Sequence, residues 1–449
     1  MSGKYFGTDG IRDRVDGPYL QPAFVRRVGS AIGLWLTKNG GGPAMKVVLG
    51  QDTRRSGIAI VQQLAAGLVC HGIRVIDAGV IPTPAVSLAV RKSRASLGIA
   101  VTASHNPATD NGIKLFNADG TKLDDATETE IERLIDGTDA VPEPSEPPAM
   151  ESADAELAYV DFASTLLGAG ALDGFVIVVD TANGAASHTT PDTLRRLGAE
   201  VFSMGDQPNG LNINENCGSE HTEALCTLVP QAGAHLGIAH DGDADRLVVC
   251  DETGSQLDGD ELLAILAIHL ARNGRLARNT VVATVMSNMG LDQTMIAHGL
   301  RLERVGVGDR QVMLGMARGG YSFGGEASGH IIIGDVAPTG DALVAALHLL
   351  AVMRQTGQPL SALRQCIRLF PQQLIALKVQ RKIPIVEIPA LQDEIERLEL
   401  ELADKGRLLV RYSGTEPKIR VLVEAESAEL VDATMNALKA AINANLELA

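Results

Sequence analysis

The chain has 449 residues, a formal net charge of −16 at pH 7 and a sequence pI near 5.1. This acidic balance argues against non-specific binding to nucleic acid or to an anionic membrane, both of which need a basic surface. A phosphorylated small molecule remains compatible with it, because a few local cationic side chains can hold one phosphate. Hydrophobic residues make up 45% and charged residues 21%, as in ordinary globular proteins, and the length predicts about three or four domains.

The cysteines and the N-terminus indicate where the protein works. The five cysteines are scattered along the chain and form no CxxC pair, which is typical of free thiols in a reducing cytosol. The N-terminus has no apolar signal region, and no apolar run is long enough to cross a bilayer. We therefore expect a cytoplasmic protein.

Three stretches of the chain repeat one order of elements. Each begins with a β-branched strand that ends at polar turn residues, passes through an apolar-periodic helix to a glycine, and enters a second strand. The first strands are predicted at residues 47–50, 176–179 and 281–283, and the second strands follow Gly72, Gly198 and Gly299. Glycine in that place is typical of a helix C-cap.

A third strand in each stretch runs into an unusual polar loop. The strands are predicted at residues 97–101, 236–239 and 321–323, and the loops read TASHNP at 102–107, HDGDADR at 240–246 and GGEASGH at 324–330. This alternation predicts three tandem related α/β domains with largely parallel strands. Because ligands of open α/β sheets bind beyond the carboxyl ends of strands, the three loops are expected to converge.

Two breaks divide the rest of the chain. Residues 137–156 are rich in Pro, Glu, Ser and Ala, a linker composition, and a second break falls near Phe370. Beyond it we predict a smaller α+β domain with strands at 374–379, 407–412 and 419–424 and helices at 391–402 and 428–441. The predicted domain limits are 1–150, 151–250, 251–368 and 369–449.

The loop HDGDADR is predicted to bind a metal ion. Asp241, Asp243 and Asp245 alternate, and in an extended segment their carboxylates would point the same way and repel one another unless a cation neutralised them. An all-oxygen site suits Mg²⁺ or Ca²⁺. An EF-hand fails, because Arg246 occupies the required glycine position and residues 247–250 form a strand. A solvated acidic turn is the other alternative.

The loop TASHNP offers a hydroxyl that could act as a nucleophile. A hydrolase triad is disfavoured, because adjacent Ser104 and His105 rarely face each other and the GxSxG pattern is absent. Taken alone, the segment is equally compatible with an ordinary turn. A metal loop at the equivalent place one domain later favours a Ser104 that bears phosphate. His105, His240 and His330, one in each loop, are candidates for acid–base work.

One further segment could hold an anion. The turn after residue 410 combines Ser413, Gly414 and Thr415 with Arg411 and Arg420, and such turns present N–H groups and forked donors to phosphate. It lacks the lysine pattern of a P-loop, and taken alone a loop with solvated arginines is slightly preferred. The glycine-rich turn at residues 6–12 carries one arginine and by itself could be a simple loop.

Taken together, these segments resemble the α-D-phosphohexomutase superfamily. GTDGIR, TASHNP with NGIK, DGDADR, GEASGH and RYSGTEPKIR occur in the superfamily's order across essentially the whole chain. Residues 209–214, residues 217–219 and the GTDGIR opening are most similar to those of phosphoglucosamine mutases. The resemblance implies four domains around a central cleft: three related α/β domains with mixed sheets and a smaller C-terminal α+β domain.

The resemblance also implies site roles. Ser104 would carry the phosphoryl group, and Asp241, Asp243 and Asp245 would hold one Mg²⁺ together with the phosphate on Ser104. The residues implied to grip sugar hydroxyls are Glu326 and Ser328. Those implied to bind the non-reacting phosphate are Arg411, Ser413, Gly414, Thr415 and Arg420. Those implied to assist proton transfer or orient the reacting phosphate are Arg12, His105, Lys114, Arg246 and His330.

The implied reaction converts glucosamine 6-phosphate into glucosamine 1-phosphate through a glucosamine 1,6-bisphosphate intermediate, in a chain for which a homodimer is one candidate assembly. A mutase of mannose or glucose phosphates and an inactive binding relative are the alternatives. Four positions depart from the usual pattern of the family: Asp13, Glu220, Gln311 and Ala327. None of them removes an implied catalytic group.

Overall fold

The computed structural model describes residues 3–7, 9–39, 45–138, 141–413 and 417–448. The chain forms two compact units. The larger unit comprises Gly3–Met286 and Leu302–Gln365, and the smaller comprises Ser287–Arg301 and Cys366–Ala449. No helix in the described ranges combines the length and the apolar character needed to cross a membrane. All five cysteines are free, as their spacing predicts.

The larger unit begins with a mixed sheet of seven strands. In chain order they are β1 (Phe6–Gly7), β2 (Gly10–Arg14), β3 (Lys46–Gln51), β4 (Arg74–Val80), β5 (Leu97–Val101), β6 (Asp110–Asn117) and β7 (Glu151–Ser152). The helices are α1 (Pro22–Lys38), α2 (Gly57–Val69), α3 (Thr83–Ser93), α4 (Asp125–Gly137) and α5 (Ala155–Ser164). The spatial order is β1-β2-β6-β5-β3-β4-β7. Strand β5 lies at the centre of the sheet, and each of its residues is buried. Its continuous apolar run reflects this burial on both faces.

The second sheet has four strands in the order β11-β10-β8-β9. They are β8 (Val176–Asp180), β9 (Glu200–Met204), β10 (Leu236–His240) and β11 (Leu247–Asp251), with helices α6 (Thr189–Arg196) and α7 (Glu223–Gln231). Strand β10 is parallel to β8 and antiparallel to β11. The loop at 241–246 therefore closes a hairpin at the carboxyl end of a buried strand.

The third sheet has the order β13-β12-β14-β15. Its strands are β12 (Thr280–Thr284), β13 (Arg301–Val305), β14 (Phe323–Gly325) and β15 (Ile331–Ile333). The helices are α8 (Gly259–Arg272), α9 (Met289–Ala297), α10 (Asp309–Gly319), α11 (Ala342–Thr356) and α12 (Leu360–Leu363). Helix α9 lies in the smaller unit. Aspartate residues cap the N-termini of two long apolar helices. Asp258 caps α8 in a capping box with Glu261, and Asp341 caps α11.

The smaller unit is built on an antiparallel sheet in the order β16-β18-β17. Its elements are β16 (Gln372–Lys378), α13 (Pro389–Leu402), β17 (Gly406–Tyr412), β18 (Lys418–Ala425) and α14 (Ala428–Asn445). The apolar faces of the two helices and the alternate residues of β18 form one core. The α+β prediction for this part of the chain is confirmed, with boundaries that differ by a few residues.

The threefold repeat is also confirmed. Gly72, Gly198 and Gly299 have φ values of 71°, 103° and 69°, the left-handed conformation that lets the chain leave a helix. Each third strand pairs with an antiparallel strand that follows it directly, so each polar loop is a hairpin connection. The predicted strand at 321–323 is displaced to β14, because Tyr321 and Ser322 bond to the preceding helix and to Ala277 instead.

Candidate active site

The loop between β10 and β11 brings three carboxylates together. One oxygen from each of Asp241, Asp243 and Asp245 lies within 4.8 Å of the others, and all three residues are buried. Their convergence agrees with the prediction, but its cause differs from the extended segment that the alternation suggested. The loop is a tight turn, with Ala244 at φ 56° and its N–H bonded to the carbonyl of Asp241 over 3.0 Å.

The carboxylates fit a divalent cation. Oδ1 of Asp243 and Oδ1 of Asp245 are buried and have no hydrogen-bond partner within the described ranges. Burial and the neighbouring charges of Asp245 and Asp243 raise the pKa of Asp241 well above its ordinary value. A hard cation would satisfy the unpaired oxygens and relieve this repulsion, and an all-oxygen donor set suits Mg²⁺.

Ser104 faces this cluster from the hairpin loop after β5. The residue is buried, and its hydroxyl donates to Oδ2 of Asp241 over 2.5 Å. Its φ of 54° is unusual for serine. This conformation places Nδ1 of His105 3.3 Å from Oγ, so the expectation that the two side chains would not face each other was wrong. Burial and the charge of Arg246 lower the pKa of His105, which favours a neutral imidazole.

A buried arginine that the sequence reasoning missed shapes the Ser104 loop. Arg54 pairs with Asp52, 2.8 Å from Nε to Oδ2, and both side chains are completely buried. Its guanidinium donates to the carbonyls of Ser104, Asn106, Pro107 and Asp110. The signal was the pair of charged residues after β3, at the strand's carboxyl end. Arg54 therefore satisfies backbone groups of a loop that has little regular structure of its own.

Lys114 places an ammonium group among the carboxylates. Its ammonium lies 2.8 Å from Asp243 Oδ2, 3.2 Å from Asp245 Oδ2 and 3.0 Å from Asp9 Oδ2. Burial opposes its charge, but the carboxylates of Asp243 and Asp245 raise the pKa of Lys114 well above the ordinary value. Burial likewise opposes the charge of Asp9, yet Lys114 and Lys122 hold its pKa well below the usual range. Asp9 was not among the predicted site residues.

Lys122 joins the first sheet's loops to the third sheet. Its ammonium contacts both Asp9 and Asp309, and the adjacent Arg310 pairs with Glu128 over 2.9 Å. Asp245, Asp309 and His330 also form a cluster of possible metal ligands. Since Lys122 already neutralises Asp309, we regard this second cluster as a charge network rather than as a further cation site.

The loop GGEASGH lies beside the metal loop. The N–H of Leu247 donates to the carbonyl of Gly329 over 2.9 Å, and Nδ1 of His330 lies 4.0 Å from Oδ1 of Asp245. Burial raises the pKa of Glu326, whose Oε1 accepts a hydrogen bond of 2.9 Å from the N–H of Gly308. Ser328 is exposed. A half-buried carboxyl next to an exposed hydroxyl is suited to sugar hydroxyl groups.

Three other predicted residues take different positions around the carboxylates. Arg12 pairs with Asp9. Nη1 of Arg246 lies 3.5 Å from Oε1 of the half-exposed Glu220. His240 is completely buried, 3.0 Å from Oγ1 of Thr190, and burial lowers its pKa to about 4. His240 is therefore a neutral structural histidine, whereas the two arginines keep their charge at the site.

The candidate phosphate site of the smaller unit contains two arginines on neighbouring strands. Arg411 and Arg420 lie directly opposite each other on β17 and β18, and burial and the charge of Arg420 lower the pKa of Arg411. The N–H of the buried Ser413 donates to the carbonyl of Lys418 over 2.8 Å. Gly414 and Thr415 lie outside the described residues. Two like charges in direct opposition are unfavourable unless an anion joins them.

Comparison with known proteins agrees with this architecture. Family models for the phosphoglucomutase/phosphomannomutase domains match in order: alpha/beta/alpha domain I over residues 3–141, domain II over 157–254, domain III over 258–370 and the C-terminal domain over 374–441. A phosphoglucosamine mutase of Cereibacter sphaeroides is 44% identical over 98% of this chain and 99% of its own. One of Shouchella clausii is 45% identical over 95% of this chain and 96% of its own.

Solved structures share the fold. A phosphoglucomutase/phosphomannomutase family protein of Burkholderia thailandensis superimposes with a TM-score of 0.83 at 24% identity, over 99% of this chain and 100% of that one. The N-acetylphosphoglucosamine mutase of Aspergillus fumigatus, solved with GlcNAc-6P and magnesium, gives 0.62 at 20% identity over 98% and 96%. The chain belongs to the α-D-phosphohexomutase superfamily and, within it, to the phosphoglucosamine mutase family.

Proposed function

We propose that the protein interconverts glucosamine 6-phosphate and glucosamine 1-phosphate and that Ser104 carries the phosphoryl group in transit. The observation that supports this most is the hydrogen bond from Ser104 to Asp241 inside a buried group of three carboxylates and one lysine. A hydroxyl in ordinary turn chemistry would not need two buried, unpaired carboxylate oxygens beside it.

The reaction follows from this arrangement. In the first transfer the bond between phosphorus and Oγ of Ser104 breaks, and a bond forms to the free O1 hydroxyl of glucosamine 6-phosphate. The hydroxyl proton leaves to a neighbouring base, for which we propose His330 or His105, and Oγ of Ser104 takes up a proton as its phosphoryl group departs. After the resulting 1,6-bisphosphate reorients, its other phosphoryl group returns to Ser104 and a proton returns to O6. Glucosamine 1-phosphate is then released.

The residues around Ser104 supply charge and position, which phosphoryl transfer needs more than covalent chemistry. We propose that Arg12, Lys114 and Arg246 stabilise the equatorial oxygens of the transferring group. Asp241, Asp243 and Asp245 would hold Mg²⁺, which when bound supplies the positive charge that offsets the phosphoryl oxygens. The magnesium in the A. fumigatus relative is consistent with this cofactor.

Binding of the sugar needs two further groups. We propose that Glu326 and Ser328 bind the sugar hydroxyls. The phosphate that is not being transferred would bind to Arg411, Ser413, Gly414, Thr415 and Arg420. We also propose that these roles fall in domains with the limits 1–150, 151–250, 251–368 and 369–449.

The test is a coupled assay of the purified enzyme with glucosamine, mannose and glucose phosphates, combined with intact mass spectrometry. We expect the highest kcat/KM on glucosamine phosphates and one phosphate on Ser104. A preference for mannose or glucose phosphates would favour the other mutases of this fold. Absence of turnover on all three sugars would favour a binding relative.

A further inference from the structure

We propose that Asn214 is a positioning residue for phosphoryl transfer, because its side-chain amide fixes the loop that presents Ser104. The inference rests on the proposed function, since it assigns a role in the transfer step. Asn214 lies in the segment 209–214, which contributes to the resemblance to phosphoglucosamine mutases. The transfer chemistry proposed above gives this segment no direct role.

Two backbone carbonyls of the Ser104 loop each receive two hydrogen bonds. Nδ2 of Asn214 donates to the carbonyls of Ser104 and Asn106, both over 2.9 Å. Nη2 of Arg54 donates to the same two carbonyls, over 2.9 Å and 2.7 Å. One carbonyl belongs to Ser104, whose hydroxyl reaches Asp241, and the other to Asn106, two residues later. Both side chains therefore act on the backbone directly after the Cα of Ser104.

The two donors come from different parts of the fold. Arg54 follows β3, in the same sheet as the Ser104 loop, so it controls the shape of that loop. Asn214 belongs to the segment after β9, in the sheet that carries the carboxylates, and its N–H is bonded to the carbonyl of Ala182 over 2.8 Å. Asn214 is therefore placed to control where the Ser104 loop lies relative to the metal loop.

Gly242 lies where the metal loop packs closely against the Ser104 loop and Asn214. It separates Asp241 from Asp243, and a Cβ atom added there would lie 2.7 Å from the carbonyl oxygen of Ser104 and 3.0 Å from Nδ2 of Asn214. The Ser104 loop, the Asn214 turn and the metal loop thus meet with no room for a side chain. A change in one hydrogen bond at this point shifts the nucleophile against its carboxylates.

The backbone of Asn214 permits a clean substitution. Its φ of 59° is left-handed, a conformation that Asn, Asp and Gly adopt at a lower energetic cost than alanine does. Asn214→Asp keeps the size and the backbone but removes both N–H donors. Asn216 makes a matched control, because it has a φ of 53°, lies two residues away and is exposed. Asn216→Asp adds the same charge without touching the Ser104 loop.

We expect Asn214→Asp to lower kcat about 10²-fold, as displacements of this order do to a positioned nucleophile, with little change in the KM for glucosamine 6-phosphate. The rate at which the bisphosphate phosphorylates Ser104, measured by intact mass spectrometry, should fall by a similar factor. Asn214→Gly, which removes the donors without adding a charge, should show the same split between kcat and KM. Asn216→Asp should behave as the wild type does.

Several results would overturn the proposal. A wild-type kcat in Asn214→Asp or in Asn214→Gly would show that the donors do not matter to the transfer step. An equal loss in Asn216→Asp would assign the effect to charge alone, and a loss confined to KM would assign it to substrate binding. Failure of the wild-type enzyme to turn over any phosphosugar would contradict the proposed function instead, and the variants would not be needed to see it.

Discussion

Ser104 and Asp241 are joined by a hydrogen bond of 2.5 Å between loops that close hairpins in two different sheets. The bond brings a hydroxyl against a carboxyl whose pKa burial and neighbouring carboxylates raise. This relationship ties the proposed phosphate carrier to the proposed cation site, and each can be tested separately.

Removal of the hydroxyl should abolish turnover. We expect Ser104→Ala to lower kcat by at least about 10³-fold, the scale seen when a covalent nucleophile is lost, and to prevent the mass increase of one phosphate. The coupled assay and intact mass spectrometry measure both effects. Ser93→Ala, which removes a hydroxyl bonded only within its own helix, should change neither. Substantial turnover in Ser104→Ala would rule out the phosphoserine mechanism.

Divalent cation should be required and should stabilise the fold. EDTA is expected to inactivate the enzyme and Mg²⁺ to restore it. Because a ligand that binds only the native state stabilises it, Mg²⁺ at 100 times its Kd should add about 2.7 kcal/mol, seen as a rise in Tm. Asp243→Asn should lose this rise. Full activity in EDTA together with an unchanged Tm would contradict the metal site.

Lys114 should matter for stability as well as for activity. Lys114→Met leaves Asp9, Asp243 and Asp245 with less compensating charge, and breaking a buried ion pair typically costs about 3–5 kcal/mol. Denaturant unfolding without metal measures this loss, and added Mg²⁺ should recover part of it. Lys4→Met, which removes an exposed ion pair with Asp136, is the control and should leave stability nearly unchanged. Equal effects of both variants would argue against a special role for Lys114.

Loss of one arginine from the pair in the smaller unit should raise the stability of that unit and weaken phosphate binding. Arg420→Gln removes the repulsion with Arg411 and should stabilise that unit by up to about 1 kcal/mol, while the KM for glucosamine 6-phosphate rises by about 10-fold or more. Thermal unfolding with inorganic phosphate separates the two effects, because phosphate should raise the Tm of the wild type more than that of the variant. An unchanged KM would remove Arg420 from the phosphate site.

Asp341 should make stability depend on pH. Burial raises its pKa from 3.8 to about 6 in the folded protein, although Tyr159 and Val344 both donate to it. The folded state therefore holds this proton more tightly than the unfolded state does. The contribution is fully present below the unfolded pKa and is lost as pH rises toward 6, amounting to about 2–3 kcal/mol.

Asp341→Asn keeps the helix cap and removes this titration. The variant should gain stability relative to the wild type as pH rises from about 4 to about 7, measured by denaturant unfolding at each pH. A difference between the two proteins that stays constant with pH would contradict the assignment. The pKa of Asp341 itself could then not lie near 6.

Local patterns allowed much of the fold to be predicted. The glycines after the first helix of each repeat and the apolar third strands carry strong local signals, so the three related sheets could be predicted. The antiparallel strand that makes each polar loop a hairpin was recognised only at residues 247–250. The alternation of Asp241, Asp243 and Asp245 indicated a cation site, although a turn at Ala244 brings the carboxylates together. The convergence of the carboxylates could thus be predicted from residue type and spacing, although the local geometry was mistaken.

The supporting residues could not be predicted in the same way. Asn214 acts on Ser104 from 110 residues away and Lys122 reaches Asp309 from 187 residues away. No periodicity or spacing in the sequence links such positions, because the contact exists only after the sheets have packed. For Arg54 one local signal was present, because its salt-bridge partner Asp52 is only two residues away. The four carbonyls to which Arg54 donates are brought to it by the hairpin.

The hydrogen-bonded contacts of Ser104 described above come from Arg54, Asn214, Asp241 and its own loop, and none of them comes from the loop that contains Glu326. A combinatorial library at Glu326, Ala327 and Ser328 thus varies the proposed sugar-binding loop and leaves the support of Ser104 in place. Selection from such a library is a direct route to mutases with new sugar preferences.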